Sequence, residues 1–160
     1  MRRTTELGFG VAMGYRCTMD IRRIDDRISV SPQITVDDIP AIKAAGFVAI
    51  VNNRPDGEEH DQPTGDAIER AATAAGLGYH AIPITHAGFG HPQLDAMATV
   101  LTATDGPVFA YCRSGTRSCN LWALASAREG SDPGELVARA GAAGYDLSGI
   151  RPTLDALHRR

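Results

Sequence analysis

Short, nearly unbroken apolar runs alternate along the chain with longer mixed stretches bounded by capping residues and glycines. The runs Arg27-Ile28-Ser29-Val30, Phe47-Val48-Ala49-Ile50-Val51, Tyr79-His80-Ala81-Ile82-Pro83-Ile84 and Pro107-Val108-Phe109-Ala110-Tyr111 predict four strands. Pro83 ends the pairing of its strand or places that end at an edge. A helix starts at Thr35-Val36-Asp37-Asp38, with a hydroxyl at the cap and a carboxylate three residues on, and stops at Gly46. Others are expected over residues 64–75, 92–103, from the loop after Cys112 to about Glu129, from Asp132-Pro133 to Gly144, and over 152–157. Alternating strands and helices predict an α/β fold, with a mainly parallel central sheet flanked by helices in a single domain. Ligands of such sheets sit beyond the carboxyl ends of the strands. Residues 52–63, 85–91 and 112–117 leave those ends, so one crevice lined by all three loops is expected.

At 160 residues the chain is long enough to bury a real core. A net charge of -3 makes no case for a nucleic-acid partner, and no apolar run approaches the roughly 20 residues of a membrane span. Three cysteines with no CxxC pair argue against a disulfide framework and a structural zinc site. No metal and no cofactor is expected, and a reducing cytoplasm is the expected location. Met1-Arg2-Arg3 followed by Leu7-Gly8-Phe9-Gly10-Val11-Ala12-Met13 faintly imitates a signal peptide but lacks a clear cleavage site. Residues 1–18, with Cys17, read as a flexible extension before a domain spanning 19–160.

The chemistry concentrates in Cys112-Arg113-Ser114-Gly115-Thr116-Arg117-Ser118, between a buried strand and a helix. A sulfur at the start of a helix faces free backbone N–H groups and the positive end of the macrodipole, which favour a thiolate. Cys112 is therefore the candidate nucleophile. Gly115 permits the backbone to turn its N–H groups inward as a nest for an anion. Arg117 is placed to bind that anion, Arg113 to steer it at the rim, and Ser118 to donate to the thiolate. Thr116 or Ser114 serves as helix cap.

This loop resembles the active-site loop of single-domain rhodaneses, which are sulfurtransferases. The rest resembles the beta-lactamase-hydrolase-like family, whose fold is that of dual-specificity and tyrosine phosphatases. The resemblance runs through Met19-Asp20-Ile21-Arg22-Arg23-Ile24-Asp25-Asp26, Ile28-Ser29-Val30-Ser31-Pro32-Gln33, Asn52-Asn53-Arg54-Pro55-Asp56-Gly57-Glu58 and Gly144-Tyr145-Asp146-Leu147-Ser148-Gly149. It implies a cysteine-phosphatase-like domain, and in some relatives fusion to a metallo-hydrolase or a persulfide-oxidising module. The spacing departs from tyrosine phosphatases, which place one residue more between cysteine and arginine; here Ser118 stands where their arginine would fall. Tyr111 replaces their histidine, and Ile84-Thr85-His86-Ala87-Gly88-Phe89 has no carboxylate to protonate a leaving alcohol. Sulfur passing between thiolates has a better leaving group and needs no such acid.

The expected activity is a sulfurtransferase that forms a persulfide on Cys112 and passes the sulfane sulfur to an acceptor thiol or a cyanide-like nucleophile. Its expected partners are a thiosulfate or persulfide donor, small or protein-borne, a thiol acceptor, and a sulfide- or persulfide-oxidising enzyme. The alternatives are a slow phosphatase using Cys112 and Arg117, and a non-catalytic sulfur- or anion-binding module. His86, Arg54 and Asp56 are accessory candidates. Against them, His86 is a plain loop histidine, and Pro55-Asp56-Gly57 is a strong turn signal that explains its neighbourhood without function. Glu58, Glu59, His60 and Asp61 read as a solvated loop, His91 as a cap or surface residue. Cys119 reads as a helical core cysteine rather than a resolving thiol.

Overall fold

The strands that three of the four expected runs form are buried along their whole length and make up the middle of a sheet. In the computed structural model, which describes residues 19–160, the sheet has five strands. They are β1 (Arg22–Arg23), β2 (Ile28–Ser31), β3 (Ala49–Asn52), β4 (Gly78–Ala81) and β5 (Val108–Tyr111), in the order β1-β2-β5-β3-β4. β1 is antiparallel to β2; all other pairings are parallel. β5 is therefore central, with Val108 opposite both Ile28 and Ala49. Every residue of β2, β3 and β5 is buried, as strands covered on both faces must be.

Six helices cover the sheet: α1 (Ile39–Ala44), α2 (Gly65–Ala74), α3 (His91–Ala103), α4 (Thr116–Arg128), α5 (Pro133–Ala142) and α6 (Arg151–His158). Successive side chains of a strand point to opposite faces, and β5 splits accordingly. Phe109 and Tyr111 join Ile39 and Ile42 of α1 and Ile68 and Ala72 of α2. Val108 and Ala110 join Leu94 and Met97 of α3, Leu121 and Leu124 of α4, Leu136 of α5 and Leu154 of α6. Phe109 is fully buried and meets Phe47 edge to face, with ring centroids 5.3 Å apart.

The caps act locally as their sequences imply. Thr64 Oγ1 accepts the Ala67 N–H at 3.1 Å, and the Asp132 carboxylate accepts that of Glu135 at 3.1 Å. The Thr35 N–H donates to the Asp38 carboxylate at 2.8 Å, but the first turn after it is 3-10, over Val36–Asp38. β4 is an edge strand and ends two residues before Pro83, shorter than the expected run. β1 was not expected, because two arginines carry no apolar period. The expected extension over residues 1–18, with Cys17 and the leader-like stretch, lies outside the described residues. Among the described residues no helix is long and apolar enough to cross a membrane.

Because Phe109 fills the centre of one face, Phe109→Ala should cost about 3–5 kcal/mol. Urea unfolding measures this; a loss below about 1 kcal/mol would show that the site collapses around the deletion and that β5 is not the packing centre.

Candidate active site

The central strand delivers Cys112 to the carboxyl edge of the sheet. Its N–H donates to the Ser31 carbonyl at 3.4 Å, and its side chain is fully buried. The chain then turns through Gly115, whose φ of +93° only glycine adopts without strain. That turn aims the Gly115 N–H at Cys112 Sγ, 3.1 Å away. A Cβ at position 115 would also strike the Tyr145 hydroxyl, which donates to the Ser114 carbonyl at 3.1 Å. Tyr145 thus clasps the loop from the segment after α5. Among the described residues the N–H groups of Arg113 and Ser114 have no protein acceptor, so consecutive amides are left for an anion. Gly115 is the N-cap residue of α4. The capping role expected of a hydroxyl falls to Ser114, whose Oγ accepts the Thr116 N–H at 3.4 Å and lies 3.0 Å from Thr116 Oγ1.

Arg117 meets a residue that the sequence assigned to a solvated loop. Its Nη1 and Nη2 donate to the two oxygens of Glu58 at 2.8 and 2.9 Å, and Nη1 also donates to the Ile84 carbonyl at 3.0 Å. This corrects the expectation for Glu58. A bidentate pair of this kind is short and geometrically specific. The Arg117 hydrogen bond, helped by Arg54, lowers the Glu58 pKa from an ordinary 4.5 to about 2. The same bond raises the Arg117 pKa, as does the nearby Cys112 sulfur. The terminal edge of the guanidinium is occupied by Glu58 and the Ile84 carbonyl.

Three loops meet in one cavity of about 610 Å³, lined by Pro55, Glu58, Ile84, Thr85, His86, Arg113 and Arg117. The expected crevice exists, and His86 is on its wall. Arg113 sits at the exposed rim, its Nε 3.0 Å from Glu59 Oε1. Arg54 is buried behind the crevice rather than lining it, and it donates to Glu58, Glu59 and Gln33. Asp56 belongs elsewhere: it accepts the Gly65 N–H at 2.8 Å at the start of α2 and faces a separate cavity with Tyr79. The turn signal at 55–57 describes it better than a catalytic role. Ser118 is fully buried and its Oγ has no partner among the described residues, so the expected bond to Cys112 is not made. Cys119 is buried in α4, and burial pushes its thiol up to about 12. A neutral thiol is a poor resolving nucleophile. Glu58 and Tyr145 are the site residues that sequence reasoning missed. A carboxylate four residues after Arg54 was the available signal for Glu58.

Residues 20–129 match the family described as beta-lactamase hydrolase-like protein, phosphatase-like domain. The chain belongs to this family. It is 38% identical over 108 residues to a beta-lactamase hydrolase-like protein of Agrobacterium fabrum, covering 68% of this chain and 25% of that one. It is 35% identical over 130 residues to one of Xylella fastidiosa, covering 81% and 30%. The chain therefore spans a quarter to a third of these relatives. Among solved structures, a putative phosphatase of Neisseria meningitidis is 36% identical, with a TM-score of 0.75 over 86% of this chain and 97% of that one. Tk-PTP, at 20% identity, superposes with a TM-score of 0.65 over 88% and 97%, a likeness of fold. The beta-lactamase hydrolase-like domain thus has a cysteine-phosphatase-like fold.

The Glu58 carboxylate has a folded pKa below its unfolded one. Its contribution to stability is present above about pH 4.5 and is lost as pH falls toward about 2. Glu58→Gln should flatten the acid limb of the stability profile in that window. Superimposable acid limbs for wild type and variant would contradict the pairing.

Proposed function

We propose that Cys112 is the nucleophile of a sulfurtransferase. One observation carries this: Glu58, the only carboxylate lining the crevice among the described residues, is held by both of its oxygens, and the Arg117 hydrogen bond lowers its pKa, so it is a poor proton donor. An alkoxide leaving group needs a proton in the transition state; sulfite or a thiolate leaves without one. In the first step the Cys112 thiolate attacks the outer sulfur of thiosulfate or a persulfide. A new S–S bond forms at Cys112, the donor's S–S bond breaks, and sulfite or a thiolate departs with the electron pair. In the second step an acceptor thiolate attacks the outer sulfur and Cys112 leaves as the thiolate. The amides of Arg113 and Ser114, with Arg117, hold the donor's anionic end; Thr116 and Ser114 brace the turn. The short spacing between Cys112 and Arg117 suits a single sulfur better than three phosphoryl oxygens. This chemistry needs a reducing compartment such as the cytoplasm and a thiol acceptor. A persulfide-oxidising enzyme is a fitting downstream partner.

A second reading is phosphoryl hydrolysis, with Cys112 attacking phosphorus and water releasing phosphate. The family's phosphatase-like description and the 36%-identical putative phosphatase side with it. His86, on the crevice wall, supplies a group able to protonate a leaving alcohol.

Intact mass spectrometry after incubation with thiosulfate or glutathione persulfide distinguishes the two. The first predicts a gain of one sulfur atom that Cys112→Ser abolishes. No adduct, together with Cys112-dependent phosphate release from an aryl phosphate, would overturn it in favour of hydrolysis. Arg117→Ala should lower kcat/KM for either reaction by about 10²–10³-fold, the usual effect of removing one anion-stabilising donor.

A further inference from the structure

Arg54 touches neither Cys112 nor the crevice, yet each nitrogen of its guanidinium ends on a group that grips the cysteine loop. Nε donates to Glu58 Oε1 at 2.8 Å, and Glu58 holds Arg117 through both oxygens. Nη2 donates to Glu59 Oε1 at 2.9 Å, the same oxygen that meets Arg113 Nε at 3.0 Å. Nη1 donates to Gln33 Oε1 at 3.0 Å, and the Gln33 N–H donates to the Arg113 carbonyl at 3.3 Å. The side chain is 3% exposed, so water cannot substitute for these acceptors. The fork of an arginine suits three divergent acceptors as no lysine does.

The charges reinforce the geometry. Arg54, Arg113 and Arg117 face Glu58 and Glu59, three positive groups against two negative. Without Arg54 the two loop arginines are cancelled by two glutamates. With it, these five side chains carry one net positive charge.

We propose that Arg54 is a positioning residue for anion recognition at Cys112. Through Glu58 it fixes the terminal edge of Arg117 and so the place of that guanidinium near Cys112. Through Glu59 and Gln33 it holds the Arg113 end of the loop. The proposal rests on Cys112 being the reactive group, but not on whether sulfur or phosphorus is transferred.

Alkylation of Cys112 tests it without either reaction. Iodoacetate is an anion and iodoacetamide its neutral counterpart, and the ratio of their rates, followed by peptide mass mapping at Cys112, reads how well the cradle presents positive charge. Arg54→Lys keeps the charge but not the fork. It should lower the iodoacetate-to-iodoacetamide ratio about tenfold, a coupling typical of groups in one ion-pair network, with the iodoacetamide rate within about threefold of wild type. Glu58→Gln should lower the ratio as well, and it carries the test if Arg54→Lys does not fold. In the Glu58→Gln background Arg54→Lys should add little further loss. An unchanged ratio in either single variant would overturn the proposal. So would an equal slowing of both reagents, which marks a scaffold defect, or fully additive losses in the double variant. Failure of the sulfurtransferase reading would instead appear as normal alkylation of Cys112 with no sulfur adduct.

Discussion

The ion pair between Glu58 and Arg117 joins two loops that are 59 positions apart in the chain and adjacent in space. It forms because β3 and β5 are neighbours in the sheet and run in the same direction. Their carboxyl ends therefore release the Arg54–Glu59 segment and the cysteine loop side by side. The loops would otherwise be free to splay. Pairing fixes the arginine's terminal edge and places a carboxylate in the crevice wall. The chemistry open to the site follows from what this pair has already used.

The rest of the molecule supplies the rigidity that the pair needs. β5 is covered on both faces, with Phe109 and Tyr111 in one core and Val108 and Ala110 in the other, so Cys112 emerges from the best-packed strand. Gly115 then makes the turn that brings its N–H onto the sulfur, and Tyr145 closes on the loop from outside. Arg22 lies over the Tyr145 ring, 5.4 Å from its centre, which links β1 to the same clasp. The Cys112 loop is thus held by its strand, by the Gly115 turn and by Tyr145, and Arg113 and Arg117 of the same segment line the crevice.

Much of this was legible in the chain. Apolar runs marked β2, β3 and β5 because burial on both faces leaves no polar position to blur them. Thr64 and Asp132 marked helix starts because a cap acts within three residues. The Cys112–Ser118 loop was legible for the same reason: strand, glycine turn and helix are contiguous. Arg54 and Glu58 were misjudged or undecided because each also has a partner far along the chain, Gln33 and Arg117. Nothing near Glu58 announces Arg117, and nothing near Arg54 announces Gln33. The two-residue β1 carries no period to read. Ser118 illustrates a different limit, since sequence places a hydroxyl near the sulfur but not its rotamer.

The family match establishes the beta-lactamase hydrolase-like domain and its cysteine-phosphatase-like fold; the reaction depends on the site. Among the described residues the site has a thiol, loop amides, an arginine, a histidine on the crevice wall and a carboxylate already paired as a counter-ion. In the proposed sulfur transfer that paired carboxylate is a sign of a leaving group that needs no proton. The most direct measurement is kcat/KM for thiosulfate-to-cyanide sulfur transfer and for aryl phosphate hydrolysis in one preparation, each with its Cys112→Ser control. The account predicts that Cys112-dependent sulfur transfer dominates, with phosphate release at the level of the control. Cys112-dependent phosphate release with no thiocyanate formed would contradict it.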